Sequence, residues 1–239
     1  MQHEILTYEA DGLTMKSQLF FEPSKTPKAG VLVFPEAFGL GSHAISRAER
    51  LAKMGYAGLA CDLHGEGRVI EELQEALDLL APLYANPSRI RDRAKGGLAA
   101  LTARSEVDTG RVASIGFCFG GTMSLELARS GASIKSVVGF HSGLSTKAPK
   151  TDAKAIQARI LVCIGADDPF IGSDERETFQ AEMRDAGVDW QMHLYGGTVH
   201  SFTNREAHLR NRPDSMRYSA EADARSWAAM QEIFSETLQ

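Results

Sequence analysis

The chain has 239 residues, of which 43% are hydrophobic and 24% are charged, and its formal net charge at pH 7 is −5. This composition excludes disordered and collagen-like proteins, and a mildly acidic chain is a poor candidate for binding a nucleic-acid backbone. No apolar run approaches the roughly 18 residues that span a bilayer, and the N-terminus lacks a signal-peptide pattern. We therefore expect a cytoplasmic protein with neither a nucleic-acid nor a membrane partner.

The N-terminal part of the chain predicts a β-hairpin. Residues 5–9 and 13–21 alternate between apolar and polar positions, and Asp11-Gly12 between them is a strong two-residue turn signal. Six short runs rich in β-branched residues follow, and most lack alternation, as parallel strands covered on both faces do. They are residues 30–34, 56–61, 111–115, 134–140, 159–165 and 188–195, the last mixed enough to lie near an edge.

Segments with helical periodicity lie between these runs. They are residues 42–54, with Ser42 as a cap, and residues 70–83, 90–104, 121–129, 173–185 and 220–238. This alternation predicts a doubly wound α/β fold with a mostly parallel sheet, helices on both faces and an antiparallel hairpin at its start. With no repeat or low-complexity linker in sight, we expect a single domain over residues 1–239, with a small lid at about 66–95.

The three cysteines are Cys61, Cys118 and Cys163. An odd number without a CxxC pair argues against a disulfide framework, a zinc site and a thioredoxin-like motif. Cys61 and Cys163 fall in predicted strands and are expected in the core. Cys118 lies in Gly116-Phe117-Cys118-Phe119-Gly120-Gly121, which matches the G-x-S-x-G nucleophile elbow with cysteine in the serine position. There a helix N-terminus favours a thiolate, and the N–H of Phe119 is a candidate oxyanion donor.

Two later loops complete the order nucleophile, acid, histidine that α/β hydrolases use. Asp167 and Asp168 follow one predicted strand, and His200 follows the next. The carboxyl ends of parallel strands share one sheet edge, so these loops should meet. An aspartate before a proline commonly starts a turn, so we expect that one of the two acids only starts the turn and does not contact the histidine.

A fourth loop, Phe34-Pro35-Glu36-Ala37-Phe38-Gly39-Leu40, follows the first buried strand. By position, Ala37 is the natural second oxyanion donor. Glu36 stands among apolar residues and needs a partner, for which the Cys118 thiol is a candidate. His64 also follows a strand and is a candidate substrate contact, as is Ser201.

Together these motifs resemble the dienelactone hydrolase family of α/β hydrolases. The resemblance extends over nearly the whole chain: Pro35-Glu36-Ala37-Phe38-Gly39-Leu40, Asp62-Leu63-His64-Gly65, the Cys118 elbow, Gly165-Ala166-Asp167-Asp168-Pro169-Phe170, His200-Ser201-Phe202, and Tyr218 to Ala224 with Trp227. It implies the α/β-hydrolase fold and a carboxymethylenebutenolidase-like hydrolase of small esters or lactones. We expect no cofactor and no metal, a small-molecule substrate, and a monomer or weak homo-oligomer.

The resemblance also implies roles. Cys118 would be the nucleophile, His200 the general base and acid, and Asp168, directly before Pro169, the orienting acid. Family members are described as holding the resting thiol against the glutamate at position 36. Substrate displaces that carboxylate, which takes the proton and leaves a thiolate beside the imidazole. The N–H groups of Ala37 and Phe119 would stabilise the tetrahedral intermediate, and water would resolve the acyl-enzyme.

Two departures from the family pattern concern the substrate. Tyrosine usually stands where this chain has His64. Arginines that would bind a substrate carboxylate cannot be placed, since none of Arg68, Arg89, Arg91, Arg93 and Arg205 lies in a matching motif.

Two other functions remain open from the sequence. A Glu/Cys isomerase or glyoxalase-like enzyme would need Glu36 and Cys118 but not Asp168. A ligand-binding pseudo-enzyme would leave Cys118 no more reactive than an ordinary thiol.

Overall fold

All eight predicted strands join one sheet in the computed structural model, which describes residues 1–239. In chain order they are β1 (Gln2–Ala10), β2 (Leu13–Phe21), β3 (Lys28–Phe34), β4 (Ala57–Ala60), β5 (Val107–Phe117), β6 (Ser136–Phe140), β7 (Arg159–Gly165) and β8 (Trp190–Tyr195). Their spatial order is β1-β2-β4-β3-β5-β6-β7-β8. The predicted edge position of the last strand is therefore confirmed.

The first two strands form the predicted hairpin. Asp11 and Gly12 both have positive φ values, 51° and 72°, which the turn between two tightly paired strands requires. Strand β2 pairs antiparallel with both β1 and β4, and every other pairing in the sheet is parallel. The predicted fold class is confirmed: a mostly parallel α/β-hydrolase sheet with an antiparallel N-terminal pair.

Six α-helices cover the two faces of this sheet. They are α1 (Ser42–Lys53), α2 (Leu73–Ala85), α3 (Pro87–Thr102), α4 (Phe119–Arg129), α5 (Ser173–Ala186) and α6 (Ala220–Thr237). Helices α1 and α6 pack on one face and α2 to α5 on the other, so the molecule has two hydrophobic cores. None of the helices combines the length and apolar character needed to cross a membrane.

Strand β3 contributes side chains to both hydrophobic cores. Leu32 and Phe34 enter one core while Val31 and Val33 enter the other, because successive strand residues point to opposite faces. Cys61 and Cys163 are fully buried, which confirms their core placement. Burial raises the pKa of the Cys163 thiol to about 12 and also raises the pKa of Cys61, so both thiols stay protonated.

Four helix starts differ from the predictions, and two of them are shifts alone: α2 begins at Leu73 instead of residue 70, and α4 at Phe119 instead of residue 121. Helix α1 is capped by Gly41, and the Ser42 hydroxyl, one residue too late to cap, donates instead to Glu206. Helix α3 begins at Pro87 because the side chain of Asn86 accepts a hydrogen bond from the Ser88 N–H, at 3.2 Å. Proline suits the first turn of a helix, so the Asn-Pro-Ser sequence is a start signal and not only a separator.

Candidate active site

Cys118 stands at the turn where β5 passes directly into α4. Its backbone is left-handed, with φ 54° and ψ −119°, a conformation that costs energy for any residue with a side chain. The N–H of Cys118 donates to the carbonyl of Phe140 at 3.0 Å, which fixes the turn against the neighbouring strand β6. The sulfur is held at the carboxyl edge of the sheet, next to the N-terminus of α4.

The glycines around Cys118 are required by close backbone approach. A Cβ on Gly116 would lie 2.0 Å from the carbonyl oxygen of Gly120, and one on Gly120 would lie 2.2 Å from the carbonyl oxygen of Phe34. A Cβ on Gly121 would lie 2.1 Å from the Cβ of Ser142. Gly116 and Gly120 are therefore needed for the close backbone approach, and Gly121 leaves room for the side chain of Ser142.

His200 and Asp168 meet beside this turn. The Nδ1–H of His200 donates to Asp168 Oδ2 at 2.7 Å, and the other carboxylate oxygen accepts the N–H of Phe170 at 2.9 Å. Both side chains are buried, whereas Asp167 is exposed. Of the two candidate acids, Asp168 is thus the one that contacts the histidine.

The charge of His200 is set by its neighbours. Burial lowers the pKa of His200, but the adjacent Cys118 and the hydrogen bonds to Asp168 and Cys118 outweigh it and raise the pKa to about 10. An imidazolium next to the sulfur stabilises a thiolate by direct charge attraction.

Glu36 lines the same cavity as Cys118, but its carboxylate has other partners. The Ser201 hydroxyl donates to Oε1 at 3.0 Å, and the Asn204 amide donates to Oε2 at 2.5 Å. The expected hydrogen bond from the Cys118 thiol is absent, so that prediction is wrong. A hydroxyl and an amide are stronger donors than a thiol, and both come from the loop that carries His200. Sequence reasoning missed Asn204, whose only signal is its place on that loop.

Both residues that carry the candidate oxyanion donors line the cavity. The Ala37 N–H has no acceptor in the protein, and the Phe119 N–H, first in α4, has no intrahelical acceptor. The Ala37 carbonyl accepts a hydrogen bond from His64 Nε2 at 2.8 Å. His64, a candidate substrate contact, does not line the cavity. It supports the Ala37 backbone from behind, while Ser201 does line the cavity.

A buried polar chain lies behind His200. The ring of His141 meets the ring of His200 edge-on, with centroids 5.1 Å apart, and its Nε2 lies 2.8 Å from Thr203 Oγ1. Thr203 Oγ1 in turn lies 3.3 Å from His43 Nε2. Burial and the nearby His200 and His43 hold the pKa of His141 well below its usual value, so this ring is neutral. It can hold the His200 ring in place without adding charge.

The cavity over Cys118 has a volume of about 420 Å³ and is walled by the elbow, the Ala37 loop, and helices α2 and α3. None of the five arginines considered from the sequence lines it. Arg68 pairs with Glu75, Arg89 and Arg93 with Asp11, and Arg91 with Glu126 and Asp152, and Arg205 lies over the ring of Tyr218.

The sequence profile of the dienelactone hydrolase family matches residues 17–238. The chain belongs to the dienelactone hydrolase family. A family relative from Methylorubrum extorquens named "Putative carboxymethylenebutenolidase" is 25% identical over 217 residues, 87% of this chain and 72% of its own. With such relatives, the chain is a dienelactone hydrolase-like hydrolase of carboxylic ester bonds.

Solved structures of the family agree over the full length. One named "m3DLH" is 42% identical, with a TM-score of 0.95, and covers 100% of this chain and 99% of its own. A second, titled a dienelactone hydrolase-like promiscuous phosphotriesterase P91 from metagenomic libraries, is 41% identical with the same TM-score and the same coverage of both chains.

Loss of the His64 donor should impair catalysis through the Ala37 backbone. We expect His64→Leu to lower kcat about 10- to 100-fold, since a misplaced oxyanion donor loses much of its effect. His64→Gln, which can still donate, should restore part of it, and the exposed His208→Leu should act as wild type. Equal kcat values for His64→Leu and wild type would contradict this role.

The raised pKa of His200 predicts a titration that depends on Asp168. Its charged form should persist from acid pH until the pH passes about 10, and any stability it contributes is lost over that rise. In Asp168→Asn one of the raising causes is gone, so the midpoint should fall. Ring chemical shifts of His200 measured by NMR against pH test this, and an unchanged midpoint would refute it.

Proposed function

We propose that the chain is a cysteine hydrolase of small esters or lactones that works through Cys118, His200 and Asp168 and an acyl-enzyme, within one catalytic domain. The observation that carries the proposal is the strained turn at Cys118, which holds the thiol beside a histidine hydrogen-bonded to Asp168. Strain of this kind concentrates at functional sites, and a core cysteine would have no use for it.

The proposed reaction has two halves. The Cys118 thiolate attacks the ester carbonyl carbon, and the developing oxyanion accepts hydrogen bonds from the N–H groups of Ala37 and Phe119. The intermediate collapses as the C–O bond breaks, and His200 protonates the leaving alkoxide. Neutral His200 then takes a proton from water, whose oxygen attacks the carbonyl carbon of the thioester. The C–S bond breaks, the acid is released, and Cys118 and His200 return to the thiolate and imidazolium forms with which the reaction began.

Asp168 supports both halves by keeping Nδ1 of His200 protonated, so that Nε2 faces the sulfur and the substrate. In the family, the glutamate carboxylate is expected to be displaced when substrate binds. The Glu36 carboxylate is consistent with such a position, because it is hydrogen-bonded to Ser201 and Asn204 and not to the thiol. We propose that it takes the thiol proton only when it turns from these partners toward Cys118.

A second candidate activity is the hydrolysis of phosphotriesters. It is supported by the structural relative that is titled a promiscuous phosphotriesterase and shares 41% of its sequence with this chain. The same nucleophile and the same two N–H groups would serve a phosphoryl centre, whose oxygen also gains negative charge as the nucleophile attacks.

The triad proposal predicts a graded series of variants in the hydrolysis of p-nitrophenyl acetate. We expect Cys118→Ala to lower kcat/KM by at least about 10⁴-fold and Asp168→Asn by about 10²- to 10⁴-fold. The matched control is Cys163→Ala, which removes a buried thiol outside the cavity and should retain activity when folded.

Two outcomes would contradict the proposal. Full activity in Cys118→Ala excludes the thiol as nucleophile. Full turnover in Asp168→Asn, with Cys118 still essential, favours the Glu/Cys isomerase or glyoxalase-like alternative, which makes no demand on Asp168.

A further inference from the structure

The cavity over Cys118 is apolar where a substrate would extend away from the sulfur. Leu73, Leu77, Leu80 and Ile90 of helices α2 and α3 face it, and Phe170 and Ile171 close the opposite side. Leu77 and Phe170 remain about half exposed, at 47% and 48%, so the apolar lining continues out to the mouth. Such walls bind hydrocarbon and offer no hydrogen bond to a charged group.

Positive charge is scarce in this cavity. The guanidinium groups of α3 are bound by acids: Arg89 and Arg93 by Asp11, and Arg91 by Glu126 and Asp152 at 2.9 and 2.7 Å. Arg210 does not line the cavity, and its guanidinium lies over the Phe38 ring and donates to the Glu71 carbonyl. Lys147 is the one lysine in the lining. It is exposed and also lines the neighbouring groove, so its ammonium stays in water. His200, the buried cation, uses its ring nitrogens for Asp168 and Cys118.

Acidic side chains, in contrast, are part of the cavity lining. Glu36, Glu126 and Glu175 all line the cavity. Glu126 is neutralised by Arg91 and by Arg129. Glu175 has only neutral partners, accepting the N–H groups of Leu144 and Ser145 at 2.6 and 2.9 Å.

Glu36 likewise has no charged partner. Besides Ser201 and Asn204, it has only His43 nearby, with Nδ1 3.8 Å from Oε2. Burial lowers the pKa of His43 against the raising effect of Glu36, so the ring is neutral at pH 7. Two carboxylates therefore face the cavity without a compensating cation.

We propose that this site selects uncharged esters and rejects substrates that carry a free carboxylate, through the apolar walls and the unpaired Glu36 and Glu175. The inference rests on the proposed ester hydrolysis at Cys118. A substrate carboxylate would lose its hydration in the apolar part of the cavity and meet two like charges there. Neither lining cation is free to offset these costs, because Lys147 stays in water and His200 is bound to Asp168 and Cys118. The chemical class that fits is a neutral, apolar ester or lactone.

The test compares two substrates that differ in one charge: mono-4-nitrophenyl glutarate and 4-nitrophenyl methyl glutarate. They share the leaving group and the acyl chain length. We expect wild type to favour the methyl ester by about 100-fold or more in kcat/KM, as a buried unpaired charge costs at least that much. This preference ratio is the quantity to follow in every variant.

Matched substitutions locate the cause. Leu77→Arg places a cation at the cavity mouth and should lower the preference ratio about tenfold or more, whereas the neutral Leu77→Gln should leave the ratio near that of wild type. Glu175→Gln should also lower the ratio, because it removes one repelling charge. Lys147→Met should not raise it.

The outcomes separate this inference from the function on which it rests. If both substrates are hydrolysed with equal kcat/KM and Cys118→Ala abolishes both reactions, the proposed function stands and the charge selection is wrong. A loss confined to the glutarate half-ester in Lys147→Met would also overturn the inference, since Lys147 would then bind the carboxylate. If wild type hydrolyses neither substrate, or Cys118→Ala hydrolyses both, the proposed function fails and the inference fails with it.

Discussion

The close approach of three backbone segments at Cys118 is the constraint on which the site depends. Strand β5 must enter α4 within a single residue, and the space between Gly116, Gly120 and strand β3 has no room for a side chain. Only a left-handed residue completes such a turn, and the large apolar area buried by the sheet compensates for its strain. The result is a fixed sulfur with the Phe119 N–H beside it.

Parallel strands bring everything else to this sulfur. The loops after β3, β5, β7 and β8 end at one edge, so Ala37, Cys118, Asp168 and His200 converge although they are far apart in sequence. That convergence was predictable, because continuous apolar runs identify parallel strands and the residues after them identify the edge. The hairpin at Asp11-Gly12 was predictable from two residues whose φ must be positive.

Side-chain direction within the loops was beyond sequence reasoning. Glu36 was expected to accept a hydrogen bond from the thiol, but its carboxylate is bound by the better donors Ser201 and Asn204. Which donors reach Glu36 depends on how two loops that are distant in sequence pack together. His64 was one candidate for a substrate contact, but its ring is hydrogen-bonded to the Ala37 carbonyl. The arginines around α3 pair with acids that are distant in sequence, as Arg93 does with Asp11. These pairings determine how much positive charge is left for the cavity. No local pattern encodes such long-range pairings.

The proposed mechanism requires that Cys118 carries the acyl group during turnover. Mixing the enzyme with a p-nitrophenyl ester, quenching with acid within the first turnovers and mapping peptides by mass spectrometry tests it most directly. We predict a mass increase equal to the acyl group on the peptide containing Cys118, which is lost when hydroxylamine cleaves the thioester. An acyl group mapped to any other residue would contradict it.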